Sequence, residues 1–376
     1  MAFDWNDLGR PVNHDEVEIT LIGPGFGECL VLHVGGGRWI TVDSCVDSQD
    51  QVDRRPVAER YLRGVGVDLE SQVDLVIATH WHADHVRGLG RLVDVCRNAT
   101  FSCAQSLVKE EFQVFVEEMS TASAATDGAK LRDFREAIRH LHSRQQVIRF
   151  STAGKTLKSW GAGAIGHAEG CQVRSLSPSD KEFQLFLLEI AQAAPKVRNS
   201  KRSATARTPN LASVVLHVQF ETFALLLGAD METHHDPLRG WTAAILEGTG
   251  LQVRPASLIK IPHHGSATGH HDQMWSQLLE PRPIGLVTPF NSLPDGKKLP
   301  TAADISRLTS HTSRLLSSSQ RPTTSTRGRD PAVERSLRES QIQIRDLATP
   351  FGMVRCRKQP GATWNLEVFQ PAAELT

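Results

Sequence analysis

The stretch "QVDLVIATHWHADHVRG", Gln72–Gly88, limits what this chain can fold into more than any other. Leu75, Val76 and Ile77 make a continuous apolar run, the pattern of a strand covered on both faces. Directly after it come His80, His82, Asp84 and His85, four metal-capable side chains within six positions. Side chains two apart in extended chain point the same way, so His80 and His82 share a side. Asp84 and His85 approach from another side one turn later. Imidazoles and carboxylates together suit one or two first-row divalent ions. A buried strand that delivers such groups at its tip belongs in a layered α/β protein, where functional groups sit on loops at strand ends.

The same order, strand then polar residue, recurs along the chain. "VEITLIGPGFGECLVLHV", beginning at Val17, reads as two strands around a glycine-rich loop. "RWITVDSC" is a strand that ends at Asp43, and "SVVLHVQFETFALLLGADME" is two strands with a turn near Glu221, the second ending at Asp230. "ASLIKIPHHGS" ends in His263 and His264, and "PIGLVTPF" is a further strand. Apolar spacing of three and four residues predicts a helical insertion over about 105–145, read as an exposed pair or cap, and a helix at "SDKEFQLFLLEIAQA" with Ser179 or Asp180 as N-cap. The basic stretch "PKVRNSKRSATARTPN" reads as a mobile loop. Residues 306–342, rich in Ser, Thr and Arg, read as a poorly ordered low-complexity linker. It would separate a main domain, residues 1–305, from a C-terminal hairpin, residues 343–376, that turns at Pro360-Gly361 and packs on that domain.

Composition narrows the partners. Lys plus Arg and Asp plus Glu both number 42, so net charge argues for neither nucleic acid nor a membrane surface. The six cysteines are scattered without a C-x-x-C pair, which fits reduced thiols rather than a disulfide framework. The N-terminus is polar and no apolar run is long enough for a membrane span, so the expectation is a soluble, cytoplasmic protein without a membrane partner. Sixteen histidines make isolated pairs uninformative, and His33, His140, His142, His217 and His311 are read as core or surface residues.

"THWHADH" resembles the H-x-H-x-D-H signature of metallo-β-lactamase-fold hydrolases. "VDS" with Asp43, "LLLGADME" with Asp230 and "KIPHHGS" are similar to that family's other site segments. The combination with "GECLVLHVGGGRWITVDSC", "LSPSD" and "NLASVVL" looks like the soluble relatives of the metallo domain of ComEC-type DNA-uptake proteins, without the membrane channel. The resemblance covers about residues 15–295. It implies a four-layer αββα sandwich with His80 and His82 on one metal, Asp84 and His85 on the other, and Asp230 bridging. His264 would complete the second site, with His263 beside it as a second-layer or proton-shuttling residue. Many relatives carry a further histidine where this chain has Asn210, so the first site would be filled out by water or an amide oxygen. Zn2+ is the default ion for such a donor set, and Mn2+ the alternative.

The chemistry implied is hydrolysis, with a metal lowering the pKa of water from about 15.7 towards about 7. Asp84 would orient that water, and Asp43 would hold a ligating imidazole by its other nitrogen. His263 is the candidate proton donor, with His234, His235, His270 and His271 behind it. A phosphodiester, in a nucleic acid or nucleotide, is the first substrate reading, with Lys196, Arg198, Lys201, Arg202 and Arg207 reaching phosphates. An ester, lactone or thioester hydrolase is the alternative. A third reading is a regulatory protein whose helical insert or C-terminal tail binds a protein partner.

Overall fold

The computed structural model describes residues 5, 8–23, 27–47, 53–110, 112–114, 127–161, 163, 170–199, 209–290, 298–319 and 351–376. Two sheets of eight strands each form the frame. The first is built from β1 (Val17–Gly23), β2 (Cys29–His33), β3 (Trp39–Val42), β4 (Val73–Ala78), β5 (Thr100–Ala104) and β6 (Ile148–Ser151). The chain then crosses to the second sheet with β7 (Lys155–Trp160), β8 (Cys171–Ser175), β9 (Leu216–Phe220), β10 (Ala224–Leu227), β11 (Ala256–Lys260), β12 (Leu279–Val287) and β13 (Arg314–Ser317). It returns with β14 (Gly352–Lys358) and β15 (Asn365–Phe369) on the first sheet, and ends with β16 (Ala373–Leu375) on the second. The orders are β15-β14-β1-β2-β3-β4-β5-β6 and β16-β13-β12-β11-β10-β9-β8-β7.

Each central strand of the second sheet feeds two cores. Leu225, Leu227 and Leu258 join a cluster with Ile19, Leu21, Leu75 and Ile77 of the first sheet. Their neighbours Leu226 and Ile259 join Trp241, Ile245, Met274 and Leu308. Alternation along a strand sends successive side chains to opposite faces, so one face meets the other sheet and the other meets helices. Those helices are Gly240–Gly250, Asp272–Gln277 and Ala302–His311. The architecture is an α/β sandwich, two eight-stranded sheets packed together with helices outside.

Strand direction positions the site. β3, β4 and β5 run parallel, as do β10, β11 and β12, so their C-terminal tips lie along one edge of each sheet. β2 runs antiparallel to β3 and therefore begins where β3 ends. The tips after β3, β4, β10 and β11 carry Asp43, His80, Asp230 and His264, and Glu28 immediately precedes β2.

Several expectations need correction. Residues 306–342 do not begin as a linker, because Ala302–His311 is a helix with a Thr301–Asp304 capping box, and Arg314–Ser317 is a strand parallel to β12. Ile305, Leu308, Leu315 and Leu316 are its buried apolar residues, too few to stand out from the Ser, Thr and Arg around them. Residues 320–350 lie outside the described residues. The helix Asp127–Ser143 is not an exposed cap, since Phe134, Ala137, Ile138 and Leu141 are buried in the main core. The stretch beginning at Pro195 is not all loop, because the helix Asp180–Asn199 runs through it. β6, β7 and β8 were not visible in the sequence; β6 and β7 are edge strands with charged, mixed patterns, as edges usually are. All six cysteines are buried and unpaired. Among the described residues no helix is long and apolar enough to cross a membrane.

Candidate metal centre

Asp43 organises the tip of β4. It sits at φ 61°, a left-handed conformation that Asp tolerates better than most residues. Its Oδ1 accepts from the Thr79 N–H at 2.7 Å and its Oδ2 from the Thr79 hydroxyl at 2.8 Å. The same Oδ2 lies 2.7 Å from His85 Nδ1. Thr79 Oγ1 in turn is 3.0 Å from His80 Nδ1. His82 caps the one-turn helix Ala83–Val86, which brings Asp84 and His85 round to the same side as His80.

The second sheet supplies the other half. Asp230 follows β10 after Ala229, itself at φ 45°. His264 follows β11 at φ 53°, and its Nδ1 lies 3.0 Å from the Thr288 carbonyl. Such sparsely populated backbone conformations persist where surrounding structure fixes them, and they cluster at functional sites.

With the Nδ1 atoms of His80, His85 and His264 engaged, the opposite nitrogens converge. Asp230 Oδ2 is 3.7 Å from His80 Nε2, 3.6 Å from His85 Nε2 and 3.6 Å from His264 Nε2. Asp84 Oδ2 is 3.6 Å from His85 Nε2 and 3.5 Å from His264 Nε2. His80 Nε2 is 3.2 Å from His82 Nδ1. The separations from Asp84 and Asp230, 3.5 to 3.7 Å, are too long for good hydrogen bonds and are those of donors around a shared cation. His85 Nε2 and Asp230 Oδ1 are buried without any hydrogen-bond partner, which a purely structural polar cluster would rarely leave so.

Among the described residues, the donors of His80, His82 and Asp230 lie within 4.8 Å of one another, and so do those of Glu28, His85 and His264. The first fits one ion. The second approaches Glu28 through Nδ1 of His85 and His264, at 3.7 and 3.9 Å. Those nitrogens already face Asp43 and the Thr288 carbonyl, so the Nε2 atoms, with Asp84 and Asp230, make the better second set. A third group, His270, Asp272 and His311, lies nearer the surface. There both ring nitrogens of His270 are already engaged, by Trp275 at 3.2 Å and Asp272 at 2.9 Å.

Electrostatics call for positive charge at the centre. Burial, and then the neighbouring His85, hold His80 well below the usual imidazole range, and burial lowers His82 also. Both are therefore neutral and ready to ligate. Burial would depress His264 too, but Asp230 overrides it and raises the group to about 10. His85 is likewise held well above its usual range against burial by Asp230 and Asp84. Burial opposes ionisation of Asp84 and Asp230, yet the imidazoles of His85 and His264 keep both below the usual carboxylate range. Protons on these imidazoles occupy the place that a divalent ion would take, since metal binding displaces them.

The structure thus brings together His80, His82, Asp84, His85, Asp230 and His264, with Asp43 behind His85. His263 stands at the rim, partly exposed, with Nδ1 2.8 Å from Thr268 Oγ1 and 3.2 Å from Glu232 Oε1. The Oδ1 of Asn210 is buried without a hydrogen-bond partner. His271 bonds Thr242, and His234 lies beside Arg239 and Glu232, so neither joins the cluster. The side chains of Lys196 and Arg198, and the whole of Lys201, Arg202 and Arg207, lie outside the described residues.

Two residues escaped the sequence reading. Glu28 and Lys260 form a buried ion pair beneath the donors, and Lys260 Nζ also donates to the Ala229 carbonyl at 3.1 Å. A lysine ending the apolar strand "ASLIK" was the available signal.

The family model described as Metallo-beta-lactamase superfamily matches residues 22–113, which hold Glu28, Asp43 and the cluster at 80–85. No curated protein matches the chain by sequence. Among solved structures, a CmlA beta-hydroxylase mutant is 12% identical at a TM-score of 0.33, covering 67% of this chain, which spans 36% of that one. A HARLDQ-motif mutant of a metallo-beta-lactamase from Cronobacter sakazakii is 12% identical, over 64% of this chain and 75% of that one, with a TM-score of 0.32. AidC, a dizinc quorum-quenching lactonase, is 14% identical, over 60% of this chain and 67% of that one, at 0.31.

Proposed function

We propose that this chain is a metallo-β-lactamase-fold hydrolase that holds one or two divalent ions, Zn2+ by default, and cleaves phosphodiester bonds. The observation that carries the metal reading is the convergence of the His80, His85 and His264 Nε2 atoms on Asp230, with Asp84 beside them, His82 next to His80, and His85 Nε2 without a hydrogen-bond partner. A divalent ion there would supply a water acidic enough to ionise near neutral pH and would stabilise charge on the substrate oxygens. Asp84 Oδ2 faces the centre and is placed to accept a proton from the attacking water. His263 has its Nδ1 engaged by Thr268, so a proton for the leaving group would leave from Nε2.

The phosphodiester reading is supported by the likeness of the motifs to ComEC-type relatives and by the basic stretch from Lys196 to Arg207. A paired-ion centre also suits the two oxygens of a phosphoryl displacement. A second reading, a small ester, lactone or thioester, is favoured by the aromatic walls of the site. The rings of Phe290 and His264 are 4.9 Å apart, and those of Trp81 and His82 are 5.9 Å apart.

Metal analysis of the purified protein, followed by assays with a bis-aryl phosphodiester, a lactone panel and labelled single- and double-stranded DNA, tests these readings. Phosphodiester cleavage that disappears in His82→Ala and Asp84→Ala is the expected result. Turnover confined to lactones or thioesters would replace the first reading with the second. Full metal occupancy without turnover on any of them would favour a partner-dependent regulatory protein.

A further inference from the structure

Glu28 and Lys260 are fully buried, charged and unused by the mechanism above. Besides its ion pair with Glu28 Oε1, Lys260 Nζ stands 3.9 Å from Asp230 Oδ1. Asp230 therefore presents Oδ2 to the three imidazoles and Oδ1 to an ammonium that it does not hydrogen-bond. Glu28 is fixed from the first sheet, where its N–H donates to the Asp84 carbonyl at 3.0 Å. It thus links the backbone of one ligand, Asp84, to the lysine behind another, Asp230. An ammonium so close to a cation site opposes metal binding, and in a low-dielectric interior that effect is large. With Glu28 removed, the nearest remaining carboxylate for Lys260 would be Asp230 itself.

We propose that Glu28 and Lys260 form a buried charge clamp in which Glu28 keeps the Lys260 ammonium from taking Asp230 away from the metal pair. Lys260 Nζ faces the Oδ1 side of Asp230 at 3.9 Å without hydrogen-bonding it, and Glu28 holds the ammonium back from direct pairing with that carboxylate. Both are positioning residues rather than ligands. The inference rests on the metal-centre reading above.

The test is a Zn2+ titration of the full-length protein against a chromophoric chelator, with folding followed by circular dichroism. Glu28→Gln leaves the lysine uncompensated and should weaken Zn2+ binding by roughly tenfold or more. The double variant Glu28→Gln/Lys260→Met removes both charges at similar volume and should return to within about threefold of wild type. Wild-type affinity in Glu28→Gln overturns the clamp. A double variant as weak as Glu28→Gln also overturns it and makes Glu28 a ligand. If Glu28→Gln does not fold, Glu28→Asp, which retracts the carboxylate by one methylene, should bind at least about threefold more weakly, and unchanged affinity overturns the clamp. Failure of the wild type to bind Zn2+ would instead overturn the metal-centre reading.

Discussion

Asp43 Oδ2 lies 2.7 Å from His85 Nδ1, so the unpartnered Nε2 of His85 is turned into the donor cluster. One carboxylate on β3's tip thus fixes which nitrogen of an imidazole on β4's tip faces the centre. Asn at position 43 accepts the same backbone conformation but can offer Nδ1 a donor instead of an acceptor, which would move the proton to Nε2. Asp43→Asn should therefore bind Zn2+ about 10- to 100-fold more weakly with its fold intact. Chelator competition together with circular dichroism measures this, and unchanged affinity would mean that Asp43 is only a cap for Thr79.

Gly228 lies where the two halves of the second sheet's site approach. A Cβ there would stand 2.9 Å from Pro262 Cβ and 3.0 Å from the Lys260 carbonyl. Gly228→Ala should wedge Asp230 away from His264. The expected loss is about 1–3 kcal/mol in urea unfolding of the metal-free protein, with weaker metal binding beside it. Normal stability with normal affinity would show that the loop after β11 yields freely.

On the outer face of the first sheet, Glu18 is fully buried and accepts from Arg357 Nε at 2.7 Å and from the Tyr61 hydroxyl at 2.5 Å. Glu18→Ala leaves a buried guanidinium unpaired and should lower stability by about 3–5 kcal/mol. Glu18→Ala/Arg357→Met should recover most of that loss. Thermal or urea unfolding of the two variants decides it, and equal destabilisation would show that the network is held by packing rather than charge.

His217, on β9, is buried with Nε2 donating to the Arg254 carbonyl at 2.8 Å and Nδ1 unpartnered. Burial lowers its pKa to about 4 from the usual 6.5. Because the folded pKa is depressed, the unfolded chain takes up the proton first as pH falls. The stability contributed by neutral His217 is complete above about pH 6.5 and is lost progressively towards pH 4, by on the order of 3 kcal/mol. His217→Gln keeps a donor near Nε2 but does not titrate, so its unfolding free energy should fall less steeply over that window. Parallel slopes for the two proteins would refute the assignment.

Legibility followed local pattern strength. The strand at 73–78 and the cluster after it were plain, because burial on both faces demands an apolar run and metal ligation demands particular residue types. Edge strands such as Lys155–Trp160, and the short helix Ala302–His311, were not. Each buries only a few residues, so solvent-facing composition dominated the signal.

By itself, the sequence determined which donors this chain offers and that they stand at strand tips. Residue type and alternation are local properties, and they survive in one dimension. Only the tertiary structure decided which nitrogen of each imidazole faces the centre, that Asp84 and Asp230 come together there, and that Glu28 pairs with Lys260. Those relations join residues up to about 230 positions apart, from Glu28 to Lys260, across two separate sheets. They exist only because parallel strands bring their C-terminal ends to one edge and burial makes each charge find a partner.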